Sequence, residues 1–150
     1  TAILADNVAI DLGYGYTDAE YKSLNKLEGL SSAINKTDKL VNTPENSFNL
    51  GLELSVDLFE SPLDFRIDYS YTDDIQNDSQ NSPFLAQKAI GLWNTSARYH
   101  FSEAVELRFF AENIADKRYI VSGNSNFGLG FHSVVYSQPR MFGLTAKYNF

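Results

Sequence analysis

Apolar and polar residues alternate along six segments of the chain, and the clearest segment runs from Phe48 to Leu58. Its even positions are all apolar, and its odd positions are all small or polar. Strict alternation of this kind is typical of a β-strand with one apolar and one polar face. The pattern recurs at residues 8–17, 64–71, 89–101, 105–112 and 142–150, with Ile90, Leu92 and Phe110 as exceptions. We therefore predict an all-β protein of six long strands, preceded by the tail of another strand at residues 1–4.

The connections between these segments are alternately short and long. Short turns are predicted at 5–7, 60–62 and 102–104, and long polar stretches cover 19–47, 72–87 and 116–138. Outer-membrane β-barrels have short turns on the periplasmic side and long loops on the outer side. Strands of about ten residues also match the length that a tilted strand needs to cross a bilayer. The pattern favours antiparallel transmembrane β-barrel strands.

Charged and aromatic side chains are distributed as expected for lipid contact on the apolar face. None of the predicted lipid-facing positions carries a charge, and a Lys or Arg there at mid-membrane would cost about 2–4 kcal/mol. Aromatic residues are expected in two belts at the membrane interfaces. The outer belt comprises Tyr14, Tyr16, Tyr69, Tyr71 and Trp93, and the periplasmic belt comprises Phe59, Phe65, Tyr99, Phe101, Tyr148 and Phe150. A soluble β-sandwich would instead bury the apolar face against a second sheet.

Composition excludes several other classes of protein. The 150 residues include no cysteine, which excludes disulfides, thiolate metal sites and cysteine nucleophiles. No run of about 18 apolar residues is present, so a membrane-spanning helix is excluded. The formal net charge of −7, without a cluster of Lys or Arg, argues against nucleic-acid binding. Because the chain starts at Thr1 without a signal peptide, we expect it to be a piece of a longer protein.

Candidate catalytic and metal-binding residues are sparse. His100 and His132 are the two histidines, and neither has a partner at metal-ligand spacing. The acidic residues Asp73, Asp74 and Asp78 lack the glycine and terminal glutamate of a calcium-binding loop. No sequence motif for a nucleophilic serine is present. We therefore predict no enzymatic activity, no cofactor and no metal site.

Several stretches resemble the TonB-dependent outer-membrane receptors. Residues 113–119 (Asn-Ile-Ala-Asp-Lys-Arg-Tyr) resemble the Asn-Leu-x-Asp-Lys-x-Tyr stretch that ends the family's penultimate strand, with Ile114 in place of the usual Leu. Residues 13–21 resemble its Gly-Tyr-Thr-Asp-Ala strand, and residues 42–51 resemble its Pro-Glu-containing strand entry. Pro-Arg at 139–140 precedes the final strand, as in the family. The order and spacing of these stretches are more specific than any one of them.

The resemblance implies that the chain is the C-terminal part of a barrel of about 22 strands, an open fragment of roughly its last six. It implies a plug domain and a TonB box outside this sequence. The implied function is TonB-energised uptake of a scarce nutrient, most often a ferric siderophore, across the outer membrane of a Gram-negative bacterium. The implied partners are TonB through the missing N-terminal part, the barrel-assembly machinery, outer-membrane lipid and lipopolysaccharide, and a small-molecule ligand such as an iron chelate.

Two sets of candidate functional residues follow. Aromatic and charged side chains in the last long loop are candidates for ligand contact by stacking and charge; they are Tyr119, Phe127, Phe131, His132, Tyr136 and Arg140. The final strand, with its terminal aromatic residue, resembles the signal by which outer-membrane barrels are recognised for assembly. That signal comprises Phe142, Gly143, Leu144, Ala146, Tyr148 and Phe150.

Two alternative interpretations stay open at the level of sequence. The chain could form a complete barrel of about eight strands with a structural or adhesive role. It could also be the C-terminal end of a passive porin. Both share the predicted strands, and they differ from a receptor in the domain that precedes the barrel and in the need for TonB.

Overall fold

The computed structural model describes residues 2–24 and 34–150. Residues 25–33, in the middle of the first predicted long stretch, lie outside the described residues. The strands are β1 (Ala2–Ala5), β2 (Val8–Tyr16), β3 (Asn46–Leu58), β4 (Ser61–Thr72), β5 (Ile75–Gln76), β6 (Ala86–Gln87), β7 (Ile90–His100), β8 (Val105–Glu112), β9 (Ile120–Asn126), β10 (Phe131–Tyr136) and β11 (Met141–Tyr148). One turn of 3₁₀ helix, Phe127–Leu129, joins β9 to β10.

Seven strands form one antiparallel sheet in the order β1-β2-β3-β4-β7-β8-β11. Each long strand pairs with the long strand next to it in the chain, so the sheet is a simple meander. β5 with β6 and β9 with β10 form two separate two-stranded sheets. The prediction of six long antiparallel strands, preceded by part of a seventh, is confirmed.

Two predicted boundaries are wrong. The turn between β3 and β4 lies at Phe59 and Glu60, both with positive φ (52° and 63°), and β4 already begins at Ser61. Two left-handed residues in succession give the turn that matches the twist of a tight hairpin, but neither residue belongs to the types that usually signal it. The last strand ends at Tyr148, so Phe150 follows the strand instead of ending it.

Register aligns the apolar residues of all the long strands on one face. A single row across the sheet contains Ile10, Leu52, Ile67, Thr95, Ala111 and Phe142. The neighbouring row, on the opposite face, contains Asp11, Gly51, Asp68 and Asn94. Since side chains alternate between the faces, this register separates apolar from polar residues over the whole sheet. We call these surfaces the apolar face and the polar face.

The apolar face is not covered by a second protein layer within the described ranges. Leu85 and Ala111 are the buried hydrophobic residues of the described part of the chain. On the apolar face, Leu12, Phe142 and Leu144 are each more than 60% exposed. A contiguous apolar surface of this size marks contact with lipid or with another protein. The sheet therefore lacks the dry interior of a soluble β-sandwich. No helix within the described residues has the length and apolarity needed to cross a membrane.

Phe110 interrupts the alternation because a glycine opposite makes room for it. Phe110 lies on the polar face and pairs with Gly143 of β11. A Cβ added at Gly143 would collide with the Phe110 ring. The glycine and the misplaced aromatic residue are therefore one packing feature shared by two strands, not two separate irregularities.

Charged residues on the polar face are linked across strands. The Arg66 guanidinium lies 3.0 Å from Asp11, 3.3 Å from Glu53 and 2.7 Å from Asp68. Three carboxylates on β2, β3 and β4 thus share one cation. Nearer the short turns, His100 Nε2 lies 3.3 Å from Asp64, also on the polar face.

Aromatic pairs lie toward both ends of the sheet. We call the end with the long connections the loop end, and the end with the short turns the turn end. Toward the loop end the rings of Tyr69 and Trp93 are 4.6 Å apart. At the turn end Tyr148 lies 4.9 Å from Phe150. These pairs agree with the two belts predicted from the sequence.

The central position of Leu52 allows a test of lipid contact. We expect Leu52→Arg to lower the free energy of unfolding of the full-length barrel by about 2–4 kcal/mol, because the charge would enter hydrocarbon. Urea unfolding in lipid vesicles measures this loss. Asn49→Arg, on the polar face of the same strand, is the matched control and should change little. Equal losses in the two variants would contradict the assignment of the faces.

Candidate functional site

Three long connections meet at the loop end of the sheet. We call residues 17–45 the first connection, 73–89 the second and 113–140 the third. The second contains the β5–β6 pair and the third contains the β9–β10 hairpin, so the expectation that residues 72–87 and 116–138 are only polar loops is wrong. β9 includes the run Ser122 to Asn126, whose small and polar residues favour turns over strands. Packing against the second connection offsets that low strand propensity.

The second connection is bonded to the first. Asn42 donates its backbone N–H to the Gln76 carbonyl at 2.9 Å. Lys39 Nζ contacts the Asp74 carboxylate at 2.6 Å, and this hydrogen bond raises the pKa of Lys39. At the base of the connection, the hydrogen bond from Asn46 lowers the pKa of Asp73. These contacts join residues 39–42 of the first connection, and the start of β3, to the second connection.

The second connection also packs against the third. Leu85 is fully buried, and a Cβ added at Gly123 would lie 2.5 Å from it. The rings of Phe84 and His132 stack with centroids 4.5 Å apart. The backbone N–H of Ile120 donates to Gln87 Oε1 at 2.6 Å. The hairpin of the third connection is therefore held by apolar packing, ring stacking and a hydrogen bond.

Asn113 closes the base of the third connection. Its backbone has φ of 51°, a left-handed conformation that Asn tolerates better than most residues. Its Nδ2 donates to the carbonyls of Lys117 (2.8 Å) and Gln138 (3.3 Å), and its Oδ1 accepts the N–H of Lys117 at 2.9 Å. Its own N–H donates to Asn94 Oδ1 at 2.9 Å. One buried side chain thus joins the two ends of this connection.

A cleft of about 400 Å³ opens beside Asn113 on the polar face. Its walls combine the loop end of the sheet with the base of the third connection. The residues that line it include Leu92, Glu112, Tyr119, Val121, Tyr136 and Met141. Apolar and aromatic surface with a few polar groups is typical of a small-molecule site. We call this the polar-face cleft.

A second cleft of about 460 Å³ adjoins the first and shares Tyr136 with it. It is lined by Asp116, Lys117 and Arg118, and the Arg118 guanidinium lies 4.0 Å from the centre of the Tyr136 ring. A cation over an aromatic ring is an electrostatically favourable contact. We call this the basic cleft.

The residues predicted to contact a ligand do not form one cluster. Tyr119 and Tyr136 line the polar-face cleft together. His132 instead stacks on Phe84, and Phe131 is about half exposed on the hairpin. Arg140 extends over Phe142 on the apolar-face side, with its guanidinium 5.8 Å from the ring centre. The side chain of Phe127 lies outside the described residues.

The apolar lining of the polar-face cleft was not predicted as a site. Leu92 and Met141 contribute to it from β7 and β11. The alternation does contain a signal for Leu92, because Ile90 and Leu92 are apolar at positions where the polar face should continue. Met141 carries no such signal, since its role depends on the path of the third connection.

The acidic residues of the second connection bond to other groups of the protein. No group of three or more His, Cys, Asp or Glu residues is placed to hold a metal ion within the described ranges. Asp74 pairs with Lys39, Asp73 accepts from Asn46, and Asp78 accepts the backbone N–H of Ser82 at 2.9 Å. These carboxylates organise the connections.

A family model for the TonB-dependent receptor-like β-barrel matches residues 6–114, well over half of the chain. The chain belongs to this family. TonB-dependent receptors are non-enzymatic transporters of the Gram-negative outer membrane, which places this barrel wall in that membrane. The apolar face is accordingly the lipid-contacting face, and the polar face lines the interior. None of the curated proteins compared matches the chain.

The fold of the chain is similar to that of several receptors of known structure. The ferric yersiniabactin uptake receptor FyuA from Yersinia pestis superimposes with a TM-score of 0.83 at 16% identity, over 98% of this chain and 22% of FyuA. The siderophore receptor PiuA from Acinetobacter baumannii gives a TM-score of 0.74 at 20% identity, over 95% of this chain and 19% of PiuA.

The ferric-catecholate import receptor Fiu from K12 E. coli gives a TM-score of 0.75 at 19% identity, over 98% of this chain and 19% of Fiu. The chain therefore spans about a fifth of the length of the receptors that it matches. At these identities the likeness establishes the fold.

Asn113 provides a test of how the third connection is held. We expect Asn113→Ala to destabilise the connection by about 1–3 kcal/mol, because the groups that it bonds lose their partner. Hydrogen exchange of the backbone amides in 117–138 of the full-length receptor measures the loss. Asn113→Gly is the matched variant, since it removes the same hydrogen bonds and tolerates positive φ. If hydrogen exchange is unchanged in both variants, the side chain of Asn113 does not hold the two ends of the third connection together.

Proposed function

We propose that the chain belongs to an outer-membrane receptor that takes up a scarce nutrient, most specifically a ferric siderophore, with energy supplied through TonB. The polar-face cleft carries this proposal. It lies at the loop end, where the long connections of such barrels face the outside of the cell. The similar solved structures include a ferric yersiniabactin uptake receptor, a siderophore receptor and a ferric-catecholate import receptor.

The chemistry of the polar-face cleft supports a planar or aromatic ligand. The rings of Tyr119 and Tyr136 border the same space, and Leu92 and Met141 supply apolar surface. Stacking on such rings contributes about 0.5–1.5 kcal/mol beyond the burial of apolar area. The Arg118 guanidinium beside Tyr136, in the adjoining basic cleft, adds a positive charge that attracts an anionic chelate, whereas Glu112 contributes a negative charge to the polar-face cleft itself.

The proposed whole protein contains parts beyond this chain. The sheet would supply about six C-terminal strands of a barrel of about 22 strands, with β11 pairing to the first strand of the barrel. A plug domain would fill the interior, and TonB would act on an N-terminal segment. Unpaired backbone groups in hydrocarbon cost several kcal/mol each, which favours this closure over an open edge.

The final strand is proposed as the signal read by the barrel-assembly machinery. Four of its predicted residues, Phe142, Leu144, Tyr148 and Phe150, are large and more than half exposed. Ala146 lies on the same face, whereas Gly143 accommodates Phe110 on the opposite face. An exposed apolar row at a free sheet edge is available for pairing with a partner strand.

TonB dependence tests the proposed function directly. We expect the full-length receptor to support growth on a ferric siderophore as the iron source in cells with TonB and not in cells without it. Radiolabelled iron uptake, measured over a panel of hydroxamate, catecholate and mixed-ligand siderophores, identifies the ligand class. TonB-independent uptake would favour the passive porin, and the absence of uptake for every ligand would favour a structural barrel.

Variants of the polar-face cleft test its role in binding. We expect Tyr119→Ala and Tyr136→Ala each to weaken ligand binding by about 2- to 10-fold, because each removes a stacking surface. Val135→Ala is the matched control, since Val135 is adjacent in sequence and largely exposed. Binding is measured by tryptophan fluorescence quenching. If all three variants bind the ligand as tightly as the wild type does, the ligand binds elsewhere.

A further inference from the structure

The two adjoining clefts at the loop end carry opposite charges. Residues 136–139 line both of them. Among the described residues, Glu112 is the charged one that lines the polar-face cleft. The basic cleft contains Lys117, Arg118 and Asp116, two cations and one carboxylate, which leave it a formal charge of +1. A ligand long enough to occupy both clefts would therefore meet opposite charges at its two ends.

The carboxylate of Glu112 is available to a cationic group. Glu112 lies opposite Met141 in the pairing of β8 with β11, and both residues line the polar-face cleft. Glu112 is exposed, and its carboxylate forms no ion pair or hydrogen bond within the described ranges. Glu106, at the other end of the same strand, instead lies 3.7 Å from Arg98. The negative charge of the polar-face cleft is thus not neutralised by a neighbouring side chain.

Negative charge continues from the polar-face cleft along the polar face. Asn94 lines that cleft and also a concavity of about 440 Å³ nearer the middle of the sheet. Beside this concavity lies the Arg66 guanidinium with the three carboxylates that share it. Three negative charges and one positive charge leave this group with a formal charge of −2. A cationic group entering from the loop end is therefore attracted inward, and an anionic group is repelled.

The basic cleft is arranged to bind the negative part of a ligand. The Arg118 guanidinium lies 4.0 Å from the centre of the Tyr136 ring. Asn113 bonds to the backbone of Lys117 at both its N–H and its carbonyl. Arg and Lys side chains both bind oxyanions, and a cation that is already oriented loses less conformational entropy on binding. The anionic part of a ligand is thus expected on this side of Tyr136.

We propose that the two clefts together select an amphoteric siderophore, in which an anionic ferric chelate carries an aromatic arm with a protonated amine. This inference rests on the proposed function and deepens it, because it assigns a class of ligand to the same site. The arm contacts the rings of Tyr119 and Tyr136, and its ammonium group pairs with Glu112. The chelate lies against Lys117 and Arg118. The charges of the clefts thus fix which end of the ligand faces the interior.

Binding of synthetic ferric chelates to the purified full-length receptor tests the proposal. Three radiolabelled ferric tris-catecholates, all with a trianionic metal centre, carry one phenyl, aminomethylphenyl or carboxyphenyl arm. We expect the wild type to bind the amine probe about two- to fivefold more tightly than the phenyl probe, since water screens the exposed Glu112. The carboxylate probe should bind most weakly. A wild type that binds the three probes equally, or binds none of them, overturns the proposal.

Variants of Glu112 test whether this residue sets the preference. Glu112→Gln should remove the preference for the amine probe, and Glu112→Lys should reverse it in favour of the carboxylate probe. The reversal is a gain of binding, which an unfolded variant could not show. Glu106→Gln is the matched control, because it removes the same charge from the same face of β8 at the turn end. A preference that survives in Glu112→Gln, or disappears equally in Glu106→Gln, contradicts the role of Glu112.

Variants of the basic cleft test the position of the chelate. Lys117→Gln/Arg118→Gln should weaken binding of all three tris-catecholates about three- to tenfold without changing the preference for the amine. An uncharged ferric tris-hydroxamate with the same phenyl arm should bind this variant like the wild type. Arg108→Gln/Lys147→Gln removes two cations from the polar face near the turn end and is the matched control. Equal losses for the charged and uncharged chelates would overturn the assignment.

The outcome is separable from the test of the proposed function, because binding is measured on the purified receptor without TonB. A receptor that takes up iron with TonB but shows no charge preference overturns this inference and leaves the proposed function standing. A receptor that shows the preferences but takes up iron without TonB supports this inference and overturns the energised transport.

Discussion

Backbone pairing across neighbouring strands is the constraint on which this structure depends. In hydrocarbon an unpaired N–H or C=O group costs several kcal/mol, so each long strand must meet a neighbour along its whole length. A meander satisfies this requirement with short turns at one end of the sheet. The backbone hydrogen bonds between strands set their register, and the register determines which side chains lie on each face. A shift of one residue would turn every apolar side chain inward. The lipid surface, the polar interior and the grouping of the long connections all derive from that register.

Periodicity predicts the sheet well and its exceptions poorly. Leu52 and its neighbours on β3 alternate without error, so the strand and its two faces could be read directly from the sequence. The turn at Phe59 and Glu60 could not, because its left-handed residues are not of the usual turn types. Phe110 was recognised as an irregularity, but its explanation lies on another strand, at Gly143. Local pattern carries no information about a partner more than thirty residues away.

The candidate site was predictable in location and only partly in composition. Tyr119 and Tyr136 were expected in the last long connection, and they do border one cleft. His132 was expected beside them, yet it packs against Phe84 of a different connection. Aromatic residues can either contact a ligand or pack one connection against another. Only the three-dimensional path of the chain shows which of the two each residue does. Leu92 also lines the cleft, and it belongs to a strand whose alternation of apolar and polar residues fails only near its loop end.

Leu85 has a consequence for how the exterior of this protein can change over time. It is fully buried between two connections, and Asn113 is 8% exposed at the base of the third. Leu129, at the hairpin tip, is 77% exposed. Substitutions around Leu129 would therefore have little effect on packing. The anchoring positions have no such freedom, so the shape of the loop end would persist while the sequence of the hairpin tip changes.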